Sequence, residues 1–218
     1  MIELRNVSKS YGPVWPIAGL NLRIEGGDFV AILGPSGSGK TTLLNTVAGL
    51  LTPTKGQVIV DDVSLYDVRQ RERVAFRREN FGFVFQAFNL LPYFSVLQNV
   101  EVPLYLAGMR AREQKECARQ LLESVHLSDK ADRLPGQLSA GEQQRVAIAR
   151  AVANSPRVIF ADEPTGNLDC DNSKLVMKHM CDLSDQGKTI LLVTHDADMA
   201  SFARRRITLS DGRLCDER

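Results

Sequence analysis

The fold is indicated first by Gly34-Pro35-Ser36-Gly37-Ser38-Gly39-Lys40-Thr41, which fits the pattern G-x-x-x-x-G-K-[ST] at every fixed position. An apolar run, Phe29–Leu33, precedes it, and a helix-compatible segment runs from Lys40 to about Ala48. Glycines let successive N–H groups point inward at phosphate oxygens, and the helix that follows adds the positive end of its dipole. This phosphate loop predicts a nucleoside triphosphate site; the alternative is an ordinary glycine–serine turn.

Two side chains of the phosphate loop have distinct predicted roles. Lys40 supplies a mobile positive charge for the β- and γ-phosphates, and the Thr41 hydroxyl can ligate Mg²⁺. The predicted contacts of the loop with the nucleotide are Gly34, Pro35, Ser36, Gly37, Ser38, Gly39, Lys40, Thr41 and Thr42.

A second apolar run, Val158–Ala161, ends in two acids, Asp162 and Glu163. A buried strand brings its last residues to the carboxyl edge of the sheet, where ligands of α/β proteins bind. Asp162 is therefore placed to hold Mg²⁺, and Glu163, which faces another direction, to polarise an attacking water. The alternative is a strand that runs into a solvated acidic turn.

The remaining patterns alternate between strand and helix on either side of a helical middle. Predicted strands are Ile2–Val7, Leu20–Ile24, Phe29–Leu33, Val58–Val60, Phe81–Phe85, Val158–Ala161, Thr189–Val193 and Arg206–Leu209, and predicted helices include Val68–Arg78 and Asn172–Leu183. From Ser95 to Ala153 the pattern is helical, with one apolar stripe formed by Ala118, Leu121, Leu122 and Val125. We therefore predict an α/β core of residues 1–87 and 156–218, with residues 88–155 inserted as a helical subdomain.

The amino-acid composition limits the classes of protein to which the chain can belong. The 218 residues carry a formal net charge of +1, which suggests no general attraction to nucleic acid or acidic lipid. The four cysteines form no CxxC pattern and are expected to be reduced thiols of a cytosolic protein; they are Cys117, Cys170, Cys181 and Cys215. The start of the chain lacks a signal-peptide pattern, and no apolar run reaches the roughly 18–20 residues that span a bilayer. We expect a soluble protein that reaches a membrane only through a partner.

Further motifs carry a family resemblance. The segment Leu138-Ser139-Ala140-Gly141-Glu142 resembles the ABC signature sequence, usually written LSGGQ. The Q-loop, D-loop and switch-histidine positions of that family are matched here by Gln86, Asp169 and His195, and Tyr11 stands where an aromatic residue stacks on adenine. Over essentially its whole length the chain thus resembles the ATP-binding subunit of an ABC transporter.

The resemblance implies an ABC-type P-loop NTPase with a mixed sheet and a helical signature subdomain, using ATP and Mg²⁺. It implies that Gln86 joins Thr41 and Asp162 around Mg²⁺, and that Glu163 and His195 are catalytic. It also implies that two copies pair head to tail around two ATP molecules, each phosphate loop facing the other copy's signature residues, Ser139, Ala140, Gly141 and Glu142. The alternatives are a structural role for His195 and a strand-edge role for Tyr11.

The signature segment also has a physical interpretation. Ser139-x-x-Glu142 is a capping-box pattern, so it predicts a helix start whose free N–H groups and dipole can face a γ-phosphate. The alternative is that both residues only cap. Ala140 and Glu142 depart from the family's Gly and Gln, which predicts slower hydrolysis or weaker dimerisation rather than loss of activity.

Two segments, Phe81–Pro92 and Pro164–Asp169, resemble the branch of lipoprotein-releasing, macrolide-exporting and cell-division ATPases. That branch implies a membrane permease as partner and a position on the cytoplasmic face of the membrane. The apolar stretch Phe88–Leu106 is then a candidate docking groove, with the aromatic and apolar candidates Phe88, Leu91, Tyr93 and Phe94; the alternative is that it completes the subdomain's own core. Competing functions are an importer ATPase, a regulatory nucleotide-binding module with slow turnover, and a soluble ABC protein acting on DNA or ribosomes.

Overall fold

The computed structural model describes residues 1–217, which form two compact units. One unit is Met1–Arg77 together with the chain from His179, and the other is Arg78–Lys178. The strands are β1 (Ile2–Tyr11), β2 (Val14–Ile24), β3 (Phe29–Leu33), β4 (Lys55–Val60), β5 (Val63–Ser64), β6 (Phe81–Phe85), β7 (Val158–Asp162), β8 (Thr189–Thr194), β9 (Arg205–Ser210) and β10 (Arg213–Glu217). The helices are α1 (Lys40–Val47), α2 (Gln70–Asn80), α3 (Val96–Leu106), α4 (Ala111–Ser124), α5 (Ala140–Val152), α6 (Cys170–Asp185) and α7 (Ala197–Ala200).

The first unit contains antiparallel and parallel strand pairs. Its antiparallel sheet has the order β2-β1-β4-β5, and β3 pairs in parallel with both β8 and β9. Every residue of β8 is buried, as is typical of a strand covered on both faces. Leu33 at the end of β3 lies opposite Thr194 at the end of β8, so the segments that follow these strands begin at the same edge.

The second unit combines a parallel strand pair with three helices. Phe85 at the end of β6 lies opposite Asp162 at the end of β7. Helices α3, α4 and α5 enclose an apolar core of Val96, Leu97, Val100, Leu104, Ala118, Leu122, Val125, Leu127, Leu138, Val146, Ala149 and Ala153. The predicted helical character of this part of the chain is confirmed, and the predicted α4 stripe packs into this core.

Several element bounds differ from the prediction. Strand β1 extends beyond its predicted end to Tyr11, and β2 begins before its predicted start, at Val14. Both differences arise because the two strands continue their antiparallel pairing through three register shifts into a polar segment. The short strand β5 and the final strand β10 were not predicted, since each is formed by pairing with a neighbour and has little apolar pattern of its own. The α/β class with a mixed sheet is confirmed, whereas the division at residues 88 and 155 stays a prediction. Within residues 1–217, no helix combines the length and apolar character needed to span a bilayer.

The apolar stretch Phe88–Leu106 is divided between two environments. Four of its side chains belong to the core of the second unit, namely Val96, Leu97, Val100 and Leu104. Five others are exposed, namely Leu91, Tyr93, Phe94, Tyr105 and Leu106, and Tyr93 is 90% exposed. Phe88 is half-buried. The core interpretation therefore holds for the buried part of α3. Leu91, Tyr93 and Phe94 are exposed on the segment that precedes this helix, and Tyr105 and Leu106 are exposed at its end.

A buried amide shapes that preceding segment. The side chain of Asn99 is fully buried. Its Nδ2 donates to three backbone carbonyls, those of Leu91, Phe94 and Ser95, at 3.0–3.1 Å. Its Oδ1 accepts from the Leu91 N–H at 2.7 Å. One side chain thus satisfies the polar backbone groups of a turn that has no regular secondary structure.

Replacing Asn99 with Ala should lower the free energy of unfolding by about 2–3 kcal/mol, because buried backbone groups lose their partner. For a chain of this size that corresponds to a fall in Tm of roughly 5–10 °C, measurable by thermal denaturation. Gln120→Ala, which removes an exposed amide from α4, is the matched control and should change stability by less than about 0.5 kcal/mol. Equal melting temperatures for the two variants would contradict this role of Asn99.

Candidate functional site

The phosphate loop is a tight structure that follows β3. A side chain at Gly34 would lie 2.5 Å from Ser38 Oγ, and one at Gly39, where φ is +100°, would collide with the Pro16 carbonyl oxygen. The buried Lys40 donates through Nζ to the carbonyls of Gly34 (2.8 Å) and Pro35 (3.1 Å). These glycines are therefore needed for close backbone approach, as the motif predicted.

One hydroxyl of the loop indicates what the loop is built to bind. Ser38 Oγ is buried and has no hydrogen-bond partner among residues 1–217. Burying an unpaired hydroxyl costs about 1–3 kcal/mol, so a polar ligand that pairs with it is favoured there. The adjacent Lys40 ammonium and the start of α1 make that environment positive. The residues present therefore fit a phosphate group.

Two more predicted residues lie in the same unit. His195 is exposed and directly follows β8, at the edge where Gly34 follows β3. The next residue, Asp196, caps the start of α7: its Oδ1 accepts from the backbone N–H of Asp198 (2.8 Å) and Met199 (3.2 Å). Tyr11 ends β1 with its ring 53% exposed, and the Nζ of Lys9 lies 5.3 Å from the ring centroid.

In the second unit, Gln86 and Glu163 follow the paired residues Phe85 and Asp162. Glu163 has a left-handed backbone, with φ +46°. The amide of Asn167 holds Gln86 from two sides: its Nδ2 donates to the Gln86 carbonyl at 2.9 Å, and its Oδ1 accepts from Gln86 Nε2 at 3.4 Å. A side chain at Gly166 would come 2.7 Å from the same Nε2, so Gly166 leaves room for Gln86.

The predicted capping box is present at the start of α5. Ser139 Oγ accepts from the Glu142 N–H at 3.3 Å, and Glu142 Oε2 accepts from the Ser139 N–H at 2.8 Å. The other carboxylate oxygen of Glu142 accepts from Lys130 Nζ. This hydrogen bond, more than the capping contacts, holds the pKa of Glu142 below its ordinary value. The negative charge that Glu142 adds to the signature segment is therefore paired within the chain.

A second contact ties the signature segment to the D-loop. A side chain at Gly141 would collide with the side chain of Asn172. Asn172 in turn donates to Asp169, from its backbone N–H at 2.8 Å and from Nδ2 at 2.7 Å, and these bonds lower the pKa of Asp169. Gly141 is thus required for packing against α6, a reason that the motif alone does not reveal.

A family of known proteins matches most of the chain. The sequence matches the ABC transporter family over residues 17–166. The chain belongs to the ABC transporter family. This confirms the family and fold class that the signature segment and the phosphate loop predicted.

Named relatives refine the comparison with ABC transporters. The macrolide export ATP-binding/permease protein MacB of Marinobacter nauticus is 46% identical over 223 residues, which cover 100% of this chain but 34% of that protein. The lipoprotein-releasing system ATP-binding protein LolD of Bacteroides thetaiotaomicron is 42% identical over 215 residues, which cover 98% of this chain and 99% of that protein. A dimeric, post-hydrolysis structure of the cassette MJ0796 of Methanocaldococcus jannaschii, bound to ADP and Pi, matches with a TM-score of 0.93 and 42% identity, and the match covers 100% of this chain and 98% of that one.

The sequence patterns did not predict the contacts of several residues that organise this candidate site. Lys130 and Asn172 contact the signature segment, and Asn167 holds Gln86. A fourth, Gln144, is fully buried within α5. Its position, three residues after Gly141 and four before Ile148, puts it on the buried side of α5, where the other residues are apolar, and this spacing could have revealed it. The roles of the predicted site residues toward nucleotide and Mg²⁺ stay predictions.

Replacing Lys130 with Met should reduce the free energy of unfolding by about 1 kcal/mol at pH 7, because Glu142 loses its partner. The folded state lowers the pKa of Glu142, so the pair stabilises above the ordinary pKa of 4.5, and this stabilisation is lost as pH falls through the lower folded value. Denaturant unfolding at pH 7 and at about pH 3.5 measures the free energy of unfolding of the parental protein and of Lys130→Met. The difference between the two proteins should be smaller at the acidic pH.

Two controls separate this pair from a general effect of removing a lysine. In a Glu142→Gln background the Lys130→Met substitution should have almost no effect, and the exposed Lys115→Met should have none. A Lys130→Met effect that is unchanged in the Glu142→Gln background would refute the assignment.

Proposed function

We propose that two copies of this chain bind and hydrolyse ATP between them and thereby drive a separate membrane permease. The observation that carries the proposal is the full-length similarity to a cassette whose structure is a dimer bound to ADP and Pi. It is supported by a phosphate loop with a buried lysine and an unpaired buried hydroxyl. ATP is accordingly the proposed substrate, and a second copy of this chain the proposed partner.

Each predicted residue has a proposed role toward ATP. The phosphate loop and Thr42 hold the phosphates, and Tyr11 stacks on adenine. Mg²⁺ would be held by Thr41, Gln86 and Asp162, and when bound it neutralises charge on the phosphate oxygens. Glu163 accepts a proton from the attacking water, and His195 contacts the γ-phosphate and orients that water.

The signature residues are proposed to act on the nucleotide of the second copy. Ser139 and Glu142 start α5, so the free N–H groups and positive dipole end of that helix are available to a γ-phosphate. Because Lys130 pairs with Glu142, the carboxylate at this position is compatible with an anionic ligand. Asp169 organises the start of α6 beside Gly141 and is the proposed D-loop contact between copies.

The proposed transport partner follows from the relatives named for macrolide export and lipoprotein release. We propose a permease of that branch, with the chain held at the cytoplasmic face of the membrane by it. The proposed contact is the exposed segment Leu91–Phe94, whose aromatic side chains a soluble subunit would otherwise leave in water. Buried Asn99 holds the backbone of that segment in one conformation, which suits it to docking.

Glu163→Gln should reduce ATP turnover by a factor on the order of 10² or more, because the amide cannot accept the proton of the attacking water. ATP should then trap a dimer that size-exclusion chromatography detects. Lys40→Ala is the comparison variant: it removes a charged phosphate contact, so calorimetry should show weaker ATP binding than for Glu163→Gln. Parental turnover in Glu163→Gln, or equal ATP affinity in the two variants, would show that these roles are wrongly assigned.

Tyr93→Ala should leave Tm and basal ATPase activity unchanged but abolish co-purification with the permease, because the ring is 90% exposed in this chain. An aromatic side chain at the centre of an interface contributes about 2 kcal/mol or more to binding. Val74→Ala, an exposed apolar side chain of α2, is the control that should retain the permease. Normal co-purification of the Tyr93 variant would exclude this docking segment.

A further inference from the structure

Gln144 is a buried polar residue that the proposed chemistry does not use. It lies on α5, in the helix that the signature segment begins, and its side chain is fully buried. Its neighbours along the helix, from Val146 to Ala149, are buried and apolar. A buried amide needs hydrogen-bond partners, because an unpaired polar group that is buried destabilises the fold.

The partners of Gln144 are the backbone carbonyls beside two proposed site residues. Nε2 donates to the carbonyl of Phe85 at 3.3 Å and to the carbonyl of Pro164. Phe85 directly precedes Gln86, and Pro164 directly follows Glu163. Since carbonyl oxygens only accept, the NH₂ group must be the one that faces them. One side chain thus links α5 to the strand ends that carry Gln86 and Glu163.

Stability alone does not explain an amide at this position. Gln144 Oε1 is buried and has no donor in the part of the chain that the structure describes. A methionine has similar length and would fill the same space without an unpaired oxygen. The two bonds made by the NH₂ group are therefore the reason to retain glutamine, and both of them fix backbone next to proposed site residues.

A second residue of α5 secures the same loop further along. Arg150 donates through its guanidinium to the carbonyls of Phe88 (2.8 Å) and Asn89. Both acceptor residues have left-handed backbones, with φ of +59° and +51°, a strained conformation that outside bonds must maintain. The segment Phe85–Asn89, with Gln86 inside it, is therefore held by α5 at both ends.

We propose that Gln144 is a positioning residue for ATP hydrolysis, which keeps Gln86 and Glu163 in register with the signature helix α5. This rests on the proposed function, in which the start of α5 meets the ATP of the second copy. If α5 moves when it contacts that ATP, Gln144 transmits the movement to the backbone next to Glu163. Occupancy of one nucleotide site is thereby coupled to the geometry of the hydrolytic groups at the other, which is a coupling free energy between two sites.

The test uses the purified full-length chain and its ATPase rate over a range of ATP concentrations. Gln144→Met keeps the volume and removes the NH₂ donor. We expect kcat to fall by about tenfold or more, because small displacements of reacting groups are sufficient for such losses. We expect ATP affinity within about twofold of the parental value, an unchanged Tm, and a Hill coefficient that falls toward one. Gln120→Met, which changes an exposed amide of α4, is the matched control and should behave as the parental protein.

Parental kcat and cooperativity in a folded Gln144→Met variant would overturn the proposal, as would a loss of ATP affinity that matches the loss of kcat. If that variant does not fold, Arg150→Met decides in its place: reduced kcat at unchanged affinity supports the link, and parental kcat refutes it. The parental protein and Glu163→Gln, assayed in parallel, keep the two proposals separate. If the parental protein itself did not hydrolyse ATP, the proposed function would be refuted, and not only the role of Gln144.

Discussion

In each of the two compact units, a pair of buried parallel strands ends at one edge, and the residues proposed to act on ATP follow those ends directly. Leu33 lies opposite Thr194 in one pair, and Phe85 lies opposite Asp162 in the other. Parallel strands point their carboxyl ends the same way, so the segments after them start side by side without any further contact. This constraint places Gly34 near His195 in the first unit and Gln86 near Glu163 in the second.

The second unit depends equally on helix α5. Its first turn is closed by the Ser139–Glu142 capping box and by Lys130, and Gly141 lets it approach Asn172. Further along, Gln144 and Arg150 bind the backbone around Gln86. Because the same helix makes both sets of contacts, α5 links the signature segment directly to the segment Phe85–Asn89, which contains Gln86. That arrangement suits a protein in which binding at one place must change geometry at another.

The apolar residues of the stretch Phe88–Leu106 fall into a buried group and an exposed group, and each group has its own role. The buried side of α3 stabilises the helical core, and Asn99 uses one amide to hold the irregular turn before it. The turn can therefore expose Tyr93 and Phe94 without being disordered by solvent. Because Asn99 already holds the backbone of this turn, binding there costs less conformational entropy, which favours its use as a docking site.

Features that depend only on neighbouring residues were predictable from the amino-acid sequence. The phosphate loop, the apolar strand that ends in Asp162, and the capping box at Ser139 each require only a few consecutive residues, so local spacing predicts them. The three-dimensional structure was needed to establish the pairing of Lys130 with Glu142, the contact of Gly141 with Asn172, and the bonds of Gln144 to carbonyls 59 and 20 residues away. It also decided which residues of Phe88–Leu106 are buried. Such contacts join segments far apart in sequence, and no local pattern encodes which partner a buried polar side chain will reach.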